Sequence, residues 1–356
     1  MDNKVNLGRQ LEFDVAKVLA IIYMVIIHVY ENMSSVNYGI LPNNLFRGFI
    51  EFTGGPLAAP VFMFAMGIGM VYTRNRSPKL FAVRGLKLLG MAYLLNFVRM
   101  TVPYLLSLLA GVDSGRGWTL IDTIGLVDIL QFAGMAFLLV ALLNKWKVSR
   151  YGIVAVALLL QAAGTLLLHT FDGLPSVIQY ALGLLFHTNR AVAFPLTLWF
   201  AYPAFGIFFG EYLQSVDDKK TLYNRIAAIS ACGLLAASAA MKLAGWNLLN
   251  NFALAGEVYY IQTFATTVWT LFVVGIQLYI CHRISLRLNG PVLEGTKFIS
   301  SHLNTIYIIQ WVLVSYSVVV LVAADMPMLP AWAVIPAGIL IAALSSFAAR
   351  YVNLKV

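Results

Sequence analysis

The sequence predicts an all-α, polytopic integral membrane protein, a bundle of about ten transmembrane helices with both termini in the cytoplasm. Three observations predict this: the composition, the length of the apolar runs and the positions of the basic residues. Of the 356 residues, 60% are hydrophobic and 11% charged, and the mean hydropathy is +0.81. Soluble domains carry roughly 25% charged residues. A water-soluble fold could not bury this much apolar surface, so we expect lipid to surround most of the chain.

Long, nearly uncharged runs are typical of membrane-spanning helices. About 20 residues cross the hydrocarbon core, and a helix satisfies every backbone polar group there. The first run is a full-length span and lacks the short apolar core and cleavage site of a removable signal peptide. No loop is long enough for a folded soluble domain, so we expect residues 1–356 to form a single transmembrane domain. The predicted spans are 14–33, 56–73, 88–109, 119–144, 151–170, 192–214, 225–245, 259–281, 303–323 and 330–350.

The basic residues predict the orientation of the bundle. With a cytoplasmic N-terminus and an even number of spans, all but five of the 24 Lys and Arg residues fall on the cytoplasmic side. The positive-inside rule predicts this distribution, and the opposite orientation would violate it. The five residues on or toward the outside are Arg47, Arg99, Arg116, Arg190 and Lys242.

The net charge of +9 is spread over several short loops. This distribution favours contact with anionic membrane lipids over nucleic-acid binding, and no nucleic-acid partner is expected. The two cysteines, Cys232 and Cys281, lie in or near predicted spans and have no spacing typical of a disulfide framework or a metal site. We therefore expect both to be small buried residues, and we expect no metal ion.

Polar residues follow one face of the first predicted span. Asp14, Lys17, His28 and Glu31 recur at helical spacing, and Lys17 and His28 share nearly the same azimuth with roughly 16 Å of rise between them. Charges inside a span are costly and mark functional sites, and an imidazole suits general-base catalysis. The alternative is a histidine that only hydrogen-bonds between helices. The polar neighbours on the same face favour a binding face.

This stretch resembles the opening of the acyltransferase 3 family of membrane acyltransferases. The family pattern is an Asp, then a basic residue, then ten residues and a histidine, all within the first span. The resemblance continues through 59–67 and returns at 300–311. The wider superfamily includes bacterial glycan and glucan O-acyltransferases and the lysosomal heparan glucosaminide N-acetyltransferase. The matching residues of the first span are Asp14, Lys17, Ala20 and His28.

The resemblance implies an enzyme that uses acyl-coenzyme A, and we expect acetyl-coenzyme A, as the donor. In such an enzyme the histidine activates the acceptor, so His28 is the expected general base. Glu31, one helical turn outward, is expected to orient the imidazole. Basic residues near the cytoplasm receive the coenzyme, and Lys17 is expected to be one of them.

A basic cluster follows the second span and enters the third. Arg84 and Lys87 lie one turn apart and correspond to the Arg-x-x-Arg pair of many relatives, with Lys as the second member. Cations suit the phosphates of coenzyme A. The alternative is ordinary positive-inside loop charge, which explains Arg74, Arg76 and Lys79 well enough. Only Arg84 and Lys87 are therefore predicted to bind the coenzyme.

Deeper polar residues are the candidates for binding the acceptor. Arg99, within the third span, needs a carboxylate partner, and Asp122 and Asp128 are the two choices. A structural ion pair explains Arg99 at least as well as an acceptor site does. Many relatives carry a His where Gln310 stands. The candidate acceptor residues are Asp14, Arg99, Asp128, Gln131, Tyr307 and Gln310.

The function predicted from these residues is transfer of an acyl group, expected to be acetyl, from cytoplasmic acyl-coenzyme A. The acceptor is expected to be a hydroxyl or amine of an extracytoplasmic carbohydrate or small molecule, and the chemistry is expected to be O-acetylation. The resemblance places the protein in a bacterial inner or plasma membrane. A homodimer is compatible with the sequence.

Two other functions stay open. A transporter of a small anion or lipid-linked sugar would use the same polar face and basic mouth as a permeation path. The sequence shows no convincing repeat between its halves, which argues against many transporter folds. A structural subunit without chemistry leaves the charges within the spans unexplained. Binding of coenzyme A distinguishes the enzyme from both.

Overall fold

A computed structural model describes residues 5–35, 45–111, 118–253 and 258–352. Within these ranges the chain is helical and forms no β-strand beyond two isolated bridges. The helices are α1 (Leu11–Met33), α2 (Leu45–Gly54), α3 (Ala59–Tyr72), α4 (Pro78–Asn96), α5 (Val102–Leu109), α6 (Leu120–Gly125), α7 (Ile129–Lys145), α8 (Arg150–Leu166), α9 (Ser176–Gly183), α10 (Leu196–Trp199), α11 (Ala201–Leu213), α12 (Lys219–Leu243), α13 (Phe264–Ser285), α14 (Gly290–Ser301), α15 (Leu303–Ala323) and α16 (Ala331–Ala348).

Seven helical segments in the described ranges are long and apolar enough to cross a membrane. They are α1, α2 with α3, α4 with α5, α12, α13, α15 and α16. Helices α7 and α8 are apolar but shorter. The all-α membrane bundle is thus confirmed at this level. The count of about ten spans and the cytoplasmic position of both termini stay predictions.

The first helix lies at the centre of the bundle. It packs against α2, α3, α13, α14, α15 and α16, and Ala16, Ala20, Val25 and Val29 are fully buried. A helix surrounded in this way presents its polar residues to other helices rather than to lipid. The face that carries Lys17 therefore looks into the protein.

One predicted span is divided into two helices, and another contains a π-helical segment. The span predicted at 119–144 is divided into α6 and α7, because the Asp128 side chain accepts the backbone N–H of Ile129 and caps a new helix. The Asn96 side chain donates to the carbonyls of Ile124 and Leu126, which the break leaves without helical partners. The segment between α4 and α5 is a π-helix, Phe97–Thr101. Such π-bulges are frequent at functional sites.

Helices α3 and α11 approach each other at two glycines. A Cβ on Gly67 would collide with the backbone carbonyl of Pro203, and a Cβ on Gly206 with that of Phe64. Small residues at such crossings let helix backbones pack closely in membranes. This contact holds α3, one wall of the site described below, against the bundle.

We expect Gly67→Ala and Gly206→Ala to lower the thermal unfolding midpoint in detergent by several degrees. The added methyl meets backbone, which cannot move aside, and overpacking of this kind costs about 1–3 kcal/mol. The control is Gly90→Ala in α4, where an added Cβ has no heavy atom within 4 Å. Equal midpoints for all three variants would contradict close packing of α3 on α11.

Candidate active site

A cavity of about 570 Å³ opens among α1, α3, α4, α7 and α15. Lys17 and Arg84 line it near the end of the bundle at which α1 begins, together with Ser301 and Asn304. On another side it reaches Leu130, in the first turn of α7. The cavity therefore runs from two cations toward the break between α6 and α7.

Asp14 is not the partner of Lys17. The Asp14 carboxylate is 5% exposed and accepts hydrogen bonds from Arg9 Nε at 2.6 Å and Ser300 Oγ at 2.5 Å. Lys17 has no ion-pair partner within the described ranges, and it faces the cavity. With Asp14 neutralised by Arg9, the positive charge of Lys17 is left for a ligand.

Arg84 and Lys87, the two residues of α4 predicted to bind the coenzyme, lie in different environments. Arg84 lines the same cavity as Lys17. Lys87 is exposed and is not part of the cavity lining. The two residues are one turn apart on α4, so their different surroundings follow from the rotation of the helix.

His28 lies on α1, partly buried, and its ring is held by α15. Its Nδ1 is 3.2 Å from Oε1 of Gln310, and its imidazole stacks on the indole of Trp311 with ring centroids 3.9 Å apart. An amide oxygen only accepts hydrogen bonds, so this contact needs the proton of neutral imidazole on Nδ1. Nε2 then carries the lone pair. Glu31, half-buried one turn further along α1, stays a predicted orienting residue.

A buried ion pair lies beside His28. Arg99, 2% exposed, donates from Nη2 to Oδ2 of Asp128 at 2.7 Å, and the Tyr307 hydroxyl donates to the same oxygen at 2.8 Å. The guanidinium also lies over the Trp311 ring, with Cζ 4.1 Å from its centroid. The predicted residues Arg99, Asp128, Tyr307 and Gln310 are therefore brought together around His28.

Asp128, rather than Asp122, is the partner of Arg99. Asp122 instead caps α6 with Thr119 and accepts a hydrogen bond from the Tyr180 hydroxyl at 2.7 Å. Burial, and after it the bond to Asp122, raises the pKa of Tyr180, so this phenol stays a neutral donor. Of the two carboxylates that the sequence offered as partners of Arg99, the structure selects Asp128.

Gln131 has a structural role in the described geometry. Its Oε1 accepts the backbone N–H of Asp128, and its Nε2 donates to the carbonyl of Leu126. It thus completes the capping box of α7. Both polar atoms of its side chain are used within the protein, and acceptor binding by Gln131 has no support in these contacts.

Sequence reasoning missed two contributors to the site. Trp311, which joins the His28 ring to the Arg99 guanidinium, was not among the candidates, although it directly follows Gln310. By its position in the sequence Arg9 is only one of the basic residues on the predicted cytoplasmic side, yet it neutralises Asp14. Across the described parts of the chain, no group of three or more His, Cys, Asp or Glu residues is placed to hold a metal ion.

A comparison with protein families finds a match over most of the chain. The family model described as heparan-alpha-glucosaminide N-acetyltransferase, catalytic, matches residues 9–248. The match includes Lys17, His28, Arg84 and Arg99, and ends before α15. Comparisons with curated proteins and with solved structures gave no match.

We expect Arg99→Met to lower the free energy of unfolding by about 3–5 kcal/mol, because it leaves the Asp128 carboxylate buried without its cation. The double variant Arg99→Met/Asp128→Asn should cost less than the sum of the two single variants, since neither charge then remains. Asn keeps the oxygen that caps α7. Titration with sodium dodecyl sulfate in mixed micelles measures all three variants, and additive costs would show that the two side chains are not coupled.

Proposed function

Because the chain belongs to the heparan-alpha-glucosaminide N-acetyltransferase catalytic family, we propose that it transfers acetyl groups from cytoplasmic acetyl-coenzyme A to an extracytoplasmic carbohydrate. The observation that carries the proposal is the cavity lined by Lys17 and Arg84, which reaches the helix break beside the His28 network. The acceptor group is a hydroxyl or an amine. The family match supports a membrane acetyltransferase; the donor, the acceptor and the residue roles are our proposal.

The cavity suits coenzyme A in two respects: the charges that line it, and the distance from those charges to His28. Lys17 and Arg84 offer two cations to the phosphates of coenzyme A, and Ser301 and Asn304 add hydrogen-bonding groups. The pantetheine arm then follows α1 toward His28, over the roughly 16 Å of helix rise between Lys17 and His28. Lys87 is exposed, and its contribution to binding the coenzyme is expected to be smaller than that of Arg84.

His28 acts as the general base. Its Nε2 takes the proton of the acceptor hydroxyl or amine while the acceptor oxygen or nitrogen attacks the thioester carbonyl carbon. The carbon–sulfur bond then breaks, and the coenzyme A sulfur leaves with its electron pair and takes the proton from His28. Gln310 keeps the other ring nitrogen protonated throughout, which holds Nε2 as the basic atom.

Other features of the proposal follow from the acyltransferase 3 resemblance of the first span. They are O-acetylation as the specific chemistry and a bacterial inner or plasma membrane as the location. The proposed cytoplasmic position of both termini rests instead on the distribution of basic residues. Lipid contact follows from the apolar helices. A homodimer is compatible with this arrangement.

We expect purified protein in detergent to bind acetyl-coenzyme A saturably, and Lys17→Met and Arg84→Gln each to weaken binding about tenfold or more. A charge-assisted contact to phosphate contributes roughly 1.5–3 kcal/mol, which is the basis of this expectation. Isothermal titration calorimetry measures the dissociation constants. Lys87→Gln tests whether the exposed member of the pair contributes.

The matched control is Lys220→Gln, an exposed lysine at the start of α12 that does not line the cavity. Its binding constant should equal that of the wild type. If the wild type shows no binding up to millimolar acetyl-coenzyme A, the donor assignment is wrong. The transporter alternative, which has no need of coenzyme A, would then be tested by flux into vesicles.

We expect His28→Gln to lower the rate of acetyl transfer to glucosamine by roughly 10²–10⁴-fold, the contribution of a positioned general base. Binding of acetyl-coenzyme A should stay within threefold of wild type, because His28 does not line the cavity. Transfer from radiolabelled acetyl-coenzyme A measures the rate. Unchanged transfer would remove His28 from the chemistry, and lost coenzyme binding would place it in the donor site instead.

A further inference from the structure

Two buried side chains beside His28 have hydrogen-bond donors without acceptors. Arg99 is 2% exposed and Gln310 is 0% exposed. In the described part of the chain, Nε and Nη1 of Arg99 and Nε2 of Gln310 have no hydrogen-bond partner. Arg99 uses only Nη2, for Asp128 and Asn96. Each buried donor that lacks an acceptor costs about 1–3 kcal/mol. A cluster of such donors therefore needs a functional explanation.

The orphan donors lie close to the proposed base. Nε2 of Gln310 is bonded to the same carbon as Oε1, which is 3.2 Å from Nδ1 of His28. The Arg99 guanidinium and the His28 imidazole both pack on the indole of Trp311. One donor set is thus on the residue that contacts His28, and the other is on the residue that shares Trp311 with it.

The donors favour an oxygen that carries negative charge. Arg99 is a permanent cation, and its one carboxylate partner, Asp128, is also bonded to Tyr307 and to the backbone N–H of Ile129. Pre-organised N–H groups in a site closed to water stabilise charge that develops during a reaction far better than they do in water. Among the residues that the structure describes, no acidic side chain is bonded to these free donors.

We infer that Arg99 and Gln310 form the oxyanion site of the acetyl transfer. This inference rests on the proposed function. When the acceptor attacks, its proton passes to Nε2 of His28, the new bond forms at the thioester carbon, and the carbonyl electron pair moves onto oxygen. Arg99 Nε, Arg99 Nη1 and Gln310 Nε2 bind that oxyanion. When the pair returns, the carbon–sulfur bond breaks and coenzyme A leaves.

The test compares two unreactive coenzyme A derivatives of similar size. Carboxymethyl-coenzyme A carries a carboxylate near the position of the acetyl oxygen, and S-ethyl-coenzyme A is neutral there. We expect the wild type to bind the anionic derivative about tenfold or more tightly than the neutral one, since hydrogen bonds to charged groups are the strong ones. Isothermal titration calorimetry in detergent measures both.

Gln310→Glu tests the Nε2 donor, and Arg99→Lys, which adds no negative charge, distinguishes the loss of donors from charge repulsion. Gln310→Glu keeps an oxygen facing Nδ1 of His28, so the orientation of the ring is retained, but it replaces the N–H donors by a second carboxylate oxygen. We expect the preference for carboxymethyl-coenzyme A to disappear, while S-ethyl-coenzyme A binds within threefold of wild type. Acetyl transfer should fall by roughly 10²–10³ in kcat, the loss seen on removing one oxyanion donor.

A second variant and a control distinguish the loss of the oxyanion site from a folding defect. Arg99→Lys keeps the charge beside Asp128 but loses the planar set of donors, and it should also lose most of the anionic preference. Gln277→Met changes a buried amide on α13 and should keep the wild-type preference. Unaltered binding of S-ethyl-coenzyme A shows that each variant is folded.

Different results would contradict the proposed function and the proposed oxyanion site. If the wild type binds neither derivative, coenzyme A is not the donor, and both the function and the oxyanion site are overturned. If it binds both equally, or if Gln310→Glu and Arg99→Lys keep the preference, the oxyanion site alone is wrong. Retained kcat in Gln310→Glu would reduce Gln310 to a residue that positions His28.

Discussion

The ion pair between Arg99 and Asp128 holds together the parts of the structure on which the site depends. Isolated charges within a membrane bundle are costly, and each needs a partner. At 2.7 Å the pair links the π-helical segment after α4 to the start of α7. The Tyr307 hydroxyl, bonded to the same carboxylate oxygen, adds α15. Because α15 also carries Gln310 and Trp311, the position of the His28 ring depends on this pair.

The ion pair between Arg99 and Asp128 depends on the break between α6 and α7. A carboxylate within a continuous helix could not accept backbone N–H groups, since each would be bonded to a carbonyl one turn earlier. At the start of α7, Asp128 accepts the N–H of Ile129 and lies at the positive end of the helix dipole. Asn96 satisfies the carbonyls that the break exposes. The break therefore stabilises the carboxylate, and the carboxylate stabilises Arg99.

The local sequence pattern predicts which residues share a helix face, but it does not predict the contacts between helices. Helical periodicity places Asp14, Lys17 and His28 on one face of α1, which the structure puts inside the bundle. Hydropathy averages over about a full span, so it did not detect the break at 126–128, although the Asp128-x-x-Gln131 capping pattern was present. The partner of His28 is 282 residues away, and the exposure of Lys87 depends on the rotation of α4. Both are set by tertiary packing, which periodicity within one helix does not contain.

The cations that face the cavity and the paired charges beside His28 lie in different parts of the site, as the proposed division between donor binding and chemistry requires. Lys17 and Arg84 face the cavity, and the neutralisation of Asp14 by Arg9 leaves the positive potential there available to an anionic ligand. Around His28 the cation of Arg99 is paired with the Asp128 carboxylate, whereas Lys17 and Arg84 give the cavity a net positive charge. What remains there are the N–H donors of Arg99 and Gln310 that are unbonded within the described ranges, which we propose to bind one oxygen. A ligand with phosphates at one end and a reactive carbonyl at the other would therefore be bound in a single orientation, with its carbonyl toward His28.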